Sequence, residues 1–163
     1  MAIDAYLHID GIKGESQDAE HQGWIEITSV HWGVRQPKSA TASTAGGHTA
    51  ERAELTDITF SKLADVASPL LFQFSAGGKT FPKAIIEFFR ADGDGKRIKY
   101  FAIELENVLI AHVTFAANGA LLMSESVGLK FGKIRLLYTQ QKIGGSAAGN
   151  TAGGWDLSRN HYA

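Results

Sequence analysis

The chain reads as a mainly β domain with one α-helix, and three observations carry that reading. Most segments alternate apolar and polar residues with period two, the pattern of half-buried strands. Turn chemistry separates these segments, most clearly at Asp92-Gly93-Asp94-Gly95 and Asn118-Gly119, where positive φ is tolerated. One segment, opened by Ser68-Pro69, carries a helix start, with Ser expected as N-cap and Pro at the first helical position.

The elements follow in order. Residues 5–9 alternate weakly. Ile25 and Ile27 share one face, and Val30, Trp32 and Val34 form an apolar series in the opposite phase. A change of phase within one strand predicts a bulge near Thr28 or Ser29, since one extra residue exchanges the faces. Residues 36–50 are rich in Ser, Thr, Ala and Gly and contain Pro37. They are expected to form a long loop, a length that usually accompanies a role. A strand is expected over 55–60. In the helix, Leu70, Leu71 and Phe74 supply an apolar face and Gly77 or Gly78 the end. From Phe81 strands return: Ile86 and Phe88; Phe101, Ile103 and Leu105; Val108 and Ile110; Val127, Leu129 and Phe131; Ile134, Leu136 and Tyr138. Residues 144–154 read as a Gly/Ala/Ser linker, and 155–163 as a tail with one aromatic anchor, Trp155. About eight strands joined by turns predict a closed barrel or sandwich, because open edges invite aggregation.

Composition bounds the function. The 163 residues fit one domain, 1–163, and 44% of them are apolar, including 9 Phe and 3 Trp, enough for a sizeable core. Lys plus Arg number 16 and Asp plus Glu 17, for a net charge of -1. That balance gives no basic surplus for nucleic acid or an anionic membrane. There is no cysteine, which excludes disulfides and thiolate zinc sites. No apolar run approaches the ~20 residues of a membrane-spanning helix. Residues 1–10 lack the basic start and apolar run of a signal peptide, so cytoplasmic synthesis is expected.

Candidate chemical motifs fall short. Gly77-Gly78-Lys79-Thr80 resembles the end of a phosphate-binding loop, but the motif's first glycine falls on Gln73 and the segment follows a helix. Asp92, Asp94 and Gly95 suggest a calcium loop, but the third ligand position is Lys96. The histidines, His8, His21, His31, His48, His112 and His161, show no metal-ligand spacing and are expected as surface or half-buried strand residues. No serine lies in a Gly-x-Ser-x-Gly elbow. The polar run Lys13-Gly14-Glu15-Ser16-Gln17-Asp18 is either a solvated turn or a salt-linked rim against another subunit, with Lys13, Glu15 and Asp18 as its charges.

That polar run also begins a longer series. It follows the strand of residues 1–9 and precedes His21 and Trp32-Gly33. Next come Phe60-Ser61-Lys62, Asp65 and Ser68-Pro69-Leu70, the strand from Tyr100 through Leu105 with Val108, and Glu125-Ser126-Val127-Gly128-Leu129-Lys130-Phe131. Lys133-Ile134, Tyr138, Gly154-Trp155 and Asn160 close the series. In order and spacing it resembles the haemolysin-coregulated protein (Hcp) family, the inner-tube subunits of type VI secretion. The resemblance spans essentially the whole chain. It implies a two-sheet antiparallel β-barrel with one α-helix, assembling into a hexameric ring. Rings would stack into a tube exported with a spike (VgrG-type) protein by contractile sheath proteins, without a cleaved signal peptide. Small secreted effectors would ride in the lumen, with Ser29, His31 and Gly33 facing them.

The 36–50 loop, through Lys38, Ser39, Thr41, Ser43 and His48, is expected to govern ring stacking. No catalytic residue, metal or cofactor is expected, nor is the C-terminal toxin domain that some relatives carry. A phage-like tail tube protein and a small β-barrel enzyme are the alternative readings.

Overall fold

The computed structural model describes residues 3–37, 52–142 and 147–163. Most of the 36–50 loop, including Lys38, Ser39, Thr41, Ser43 and His48, therefore lies outside the described residues. The strands are β1 (Asp4–Ile9), β2 (Ile25–Ile27), β3 (Ser29–His31), β4 (Val34–Arg35), β5 (Glu54–Leu55) and β6 (Ile58–Leu63), then β7 (Thr80–Ala91), β8 (Arg97–Ala116) and β9 (Ser124–Lys130), then β10 (Lys133–Gln141), β11 (Ala147–Asp156) and β12 (His161–Tyr162). Among the described residues the single helix is α1 (Ser68–Gly77), between β6 and β7.

The strands exceed the expected eight because bends cut segments that alternate without interruption in sequence. Ile25 to Val34 becomes three short strands, and the segment expected at 55–60 is split between β5 and β6. The phase change comes at Thr28, a bend rather than a bulge within one paired strand. There the chain changes partners: Ile27 pairs with Ala5 of β1, whereas Ser29 pairs with Ser61 of β6. Thr28 holds the corner by donating both its N–H (2.8 Å) and its hydroxyl (3.1 Å) to the Ser61 carbonyl. Val30 and Trp32 pack on the core as expected, but Val34 is 70% exposed, because the chain has left the barrel for the separate β4–β5 ribbon.

That corner closes the barrel. All pairings are antiparallel: β1 with β7, β7 with β8, β8 with β9, β9 with β6 and β6 with β3, which returns through Thr28 to β2 and β1. The 20-residue β8 has three strand neighbours in the ten-stranded sheet. One edge pairs with β7, while the other takes β10 along residues 101–106 and β9 along 109–116. At the changeover Asn107 adopts φ 54°, a left-handed conformation that Asn tolerates better than most residues. The phase flips there, so Ile103 and Leu105 on one side and Val108 and Ile110 on the other all point inward and are fully buried. A second register shift between Ile110 and His112 flips it again.

The core, including Leu7, Ile9, Ile25, Ile58, Phe60, Ile86 and Leu129, fills the barrel. Each such side chain contributes about 1.5–3 kcal/mol by leaving water. Helix α1 packs against β8 through Leu71, with Leu70 and Phe74 half-buried. Gly78 ends it in the left-handed conformation (φ 65°), as expected of a C-terminal glycine. Its start differs from expectation: Ala67 is the cap residue and Ser68 the first helical one, because the Ser68 hydroxyl is engaged in a buried cluster.

The expected linker also differs. From Ala147 it is strand β11, paired with β10 in register Ile134↔Trp155. A Cβ at Gly154 would sit 2.3 Å from the Ile134 carbonyl oxygen, so the small residues read as linker are what allow close pairing here. Trp155 packs on the core and meets the Tyr162 ring edge-on at 5.6 Å.

Candidate functional site

The half-barrel β3-β6-β9-β8 turns one polar face outward. In strands successive side chains alternate between faces, and the register sorts them into rows. Val30, Phe60, Val127 and Val113 line up on the inner side. On the outer side one row runs Ser29, Ser61, Ser126, Thr114, and the next His31, Thr59, Gly128, His112. Ser29, His31, His112 and Thr114 are exposed. The His112 ring lies against Gly128: a Cβ there would stand 2.3 Å from the imidazole Nε2. Of the three residues expected to face a lumen, Ser29 and His31 share this wall. Gly33 lies beyond it, its N–H donating to the Thr56 hydroxyl (2.8 Å) at the start of the β4–β5 ribbon.

The polar run 13–18 belongs to a loop folded over the outer face of β1. Gly14 N–H bonds Gly23 carbonyl (2.7 Å) and Ser16 N–H bonds Trp24 carbonyl (3.0 Å). Lys13 is exposed, whereas Glu15 accepts from the Val66 amide at 3.0 Å and so ties the loop to the start of α1. Asp18 is bound within the chain, to His21 Nδ1 at 2.6 Å and Arg97 at 2.5 Å. Its carboxyl is held below the ordinary aspartate range, first by the His21 hydrogen bond, then by the Glu20 amide and the Arg97 charge, against some desolvation. His21, expected at the surface or half-buried in a strand, is instead 3% exposed in this loop. It stacks on Tyr6 at 4.7 Å, with Trp24 and Phe89 edge-on. The Asp18-x-x-His21 spacing after a strand was the available signal, since a short Asp side chain reaches a ring three residues on.

A second buried cluster escaped the sequence reading. Lys62 and Glu125 face each other across β6 and β9, both side chains 0% exposed, and form a direct ion pair. Asp65 accepts from Lys62 at 2.8 Å, and the Ser68 hydroxyl donates to Glu125 at 2.7 Å. The cluster therefore joins the two strands to the first turn of α1. Its signal was phase: Lys62 continues the inward series Ile58, Phe60, and Glu125 begins the inward series Val127, Leu129.

Beside this cluster an apolar rim is left in water. Leu63, Val66, Leu122 and Met123 are each 42–51% exposed and Leu121 fully so; on α1, Phe72 is 59% exposed and meets Phe115 at 6.2 Å. Apolar residues clustered this way mark a surface for association. The rejected motifs are structural: Gly78 is the helix cap, and the Asp92 carboxylate accepts from the Asp94 (2.9 Å) and Lys96 (2.7 Å) amides in a hairpin turn. Among the described residues no group of three His, Cys, Asp or Glu side chains is placed to hold a metal ion.

Comparison with known proteins gives concordant matches. The family model described as "Type VI secretion system effector, Hcp" matches residues 6–138. The chain is 31% identical over 165 residues to the protein hcp1 of Pseudomonas aeruginosa, covering all of both chains. Among solved structures, one described as a type six secretion system protein superposes with TM-score 0.91 at 25% identity, covering 99% of this chain and 100% of the other. Hcp1 of Salmonella typhimurium superposes with TM-score 0.79 at 28% identity, covering 100% of both.

Proposed function

Because the chain belongs to the Hcp family of type VI secretion, a family of structural, secreted proteins, we propose that it forms hexameric rings that stack into the inner tube and leave the cell with it. The observation that carries this reading is the full-length family match joined to a closed barrel with an uncovered apolar rim. Leu63, Val66, Leu121, Leu122 and Met123 supply a surface between neighbouring subunits, and burying it favours closure of a head-to-tail ring. The Lys13, Glu15 and Asp18 loop lies beside that rim, through the Glu15–Val66 bond, and frames the interface.

The outer wall carrying Ser29 and His31 then lines the lumen, where its hydroxyls and imidazoles meet small secreted effectors. The loop holding Lys38, Ser39, Thr41, Ser43 and His48 governs contact between rings. Partners are a VgrG-type spike and the contractile sheath, and export proceeds without a cleaved signal peptide.

Light scattering tests the ring. The purified protein should give a hexamer mass at low micromolar concentration, since a stable interface buries at least ~1,200 Å². Leu121→Lys/Leu122→Lys should give monomers. A monomeric wild type overturns the reading. Replacing residues 38–48 by a short Gly-Ser bridge should keep the hexamer and abolish tubes and secretion.

A further inference from the structure

The outer wall of the half-barrel carries a second feature that the lumen assignment of Ser29 and His31 does not contain. His112 reaches this face only because the register shift after Ile110 turns it outward, and its ring lies along the face only because residue 128 has no side chain. It ends the row that His31 begins. With strands ~4.8 Å apart, the two Cα atoms stand about 14 Å from each other, and the ring over Gly128 shortens that span from its own end. The remaining six positions of the two rows are Ser29, Ser61, Ser126, Thr114, Thr59 and Gly128, none of which carries charge.

Imidazole is the side chain whose charge changes between pH 5 and 8, and the two rows hold two imidazoles and no other ionisable group. Among the described residues the flanking charges are few, and the exposed Glu26 of β2, which shares a surface pocket with Thr28 and Leu63, stands beyond the Ser29 end of the first row. Asp57 precedes β6 and Lys130 ends β9 in the outward phase, opposite in sign. Arg35 and Glu54 of the β4–β5 ribbon pair with each other at 2.9 Å. Helix α1, packed against β8, has no charged residue. No carboxylate lies within the rows to neutralise the imidazoles, and the hydroxyls around them supply donors to an anionic guest.

We propose that the wall formed by His31, Thr59, Gly128 and His112, with its row of hydroxyls, is a pH-gated site for acidic polypeptide, engaging carboxylate-rich segments when the imidazoles are protonated and releasing them when they are neutral. This deepens the lumen reading above and rests on it for the identity of the guest as cargo. The recognition chemistry belongs to each chain.

The test uses the full chain and a fluorescein-labelled oligo-aspartate peptide, which stays ionised at both pH values. Anisotropy is read at about pH 5.5 and about pH 7.5 in low salt, with light scattering on the same samples. Two exposed ion pairs gained per chain should tighten binding about fivefold to tenfold at the lower pH. His31→Gln/His112→Gln should remove that gain. His8→Gln/His161→Gln removes the same number of imidazoles from outside the wall and should keep it. Gly128→Ala, which displaces the His112 ring while retaining both histidines, should reduce it. Binding indifferent to pH, or equal loss in the two double variants, overturns the proposal, the second outcome pointing to net charge alone. A monomer mass with pH-gated binding intact would instead sink the ring reading and leave the site standing.

Discussion

Removing one member of the buried Lys62–Glu125 pair should damage this protein far more than removing both. Lys62→Met deletes the cation and keeps an unbranched side chain one atom shorter. Glu125 is then left at 0% exposure without its cation, with the Ser68 hydroxyl at 2.7 Å as its remaining partner and one carboxylate oxygen already without a hydrogen bond. An uncompensated buried charge costs about 3–5 kcal/mol. Glu125→Leu should cost less, about 2 kcal/mol, because Lys62 keeps Asp65 at 2.8 Å and Ser68 at 3.1 Å. The double variant Lys62→Met/Glu125→Leu places two apolar side chains of similar volume where the pair stood, leaves Asp65 the Ala67 amide at 2.9 Å, and should lie within about 1 kcal/mol of the parent. The coupling energy of the cycle is then about 5 kcal/mol. Urea titration at fixed protein concentration measures it, concentration being held because self-association in the proposed ring would add stability by mass action. At ~2–4 °C per kcal/mol for this chain length, Lys62→Met should melt about 10 °C lower. A double variant as unstable as the two singles summed would refute the account and show that the cluster anchors α1 by geometry rather than by charge compensation.

Two further outcomes follow from the loop and the tail. Asp18 has its folded pKa below the usual 3.8, so the unfolded chain binds more protons in that window and the contribution of Asp18 is present above pH 3.8 and lost as pH falls through the folded value. Asp18→Asn should therefore flatten the dependence of stability on pH below about 4 in acid-unfolding curves, and an unchanged slope would count against the His21–Asp18–Arg97 arrangement. Gly154→Ala forces a Cβ against the Ile134 carbonyl oxygen; strand β11 should detach, cost about 1–3 kcal/mol, and be cut sooner by limited proteolysis, whereas Gly149→Ala, with open space at its Cβ, should behave as the parent.

The candidate wall was partly legible. Ser29 and His31 could be placed on one outward face because the Val30/Trp32 phase fixes the opposite one. His112, Thr59 and Gly128 could not be joined to them, since their neighbourhood is made by pairing across β6, β9 and β8. Two phase flips, at Asn107 and after Ile110, decide which way His112 points, and neither leaves a mark that a reader of residue types can count. Lys62 and Glu125 were visible as charges in an apolar phase, but a lysine at one such position has meaning only when the glutamate opposite is known.

By itself the sequence determined what depends on near neighbours along the chain. The period-two alternation, the Ser68-Pro69 helix start, the Gly78 cap and the Asp92 to Gly95 turn are set by local sterics and by hydrogen bonds a few residues long. Tertiary structure alone decided what depends on the partner across a ladder. Ile25 to His31, one run in sequence, divides at Thr28 between β1 and β6. β8 serves two partner strands, β10 and β9, along one edge. Residues 147–154, as poor in strand propensity as a linker, become strand β11 because β10 supplies the hydrogen bonds and the missing side chain of Gly154 lets the backbones meet. Propensity reports the preference of a residue in isolation; the free energy of a paired and desolvated strand is set by the segment opposite, which no local window contains.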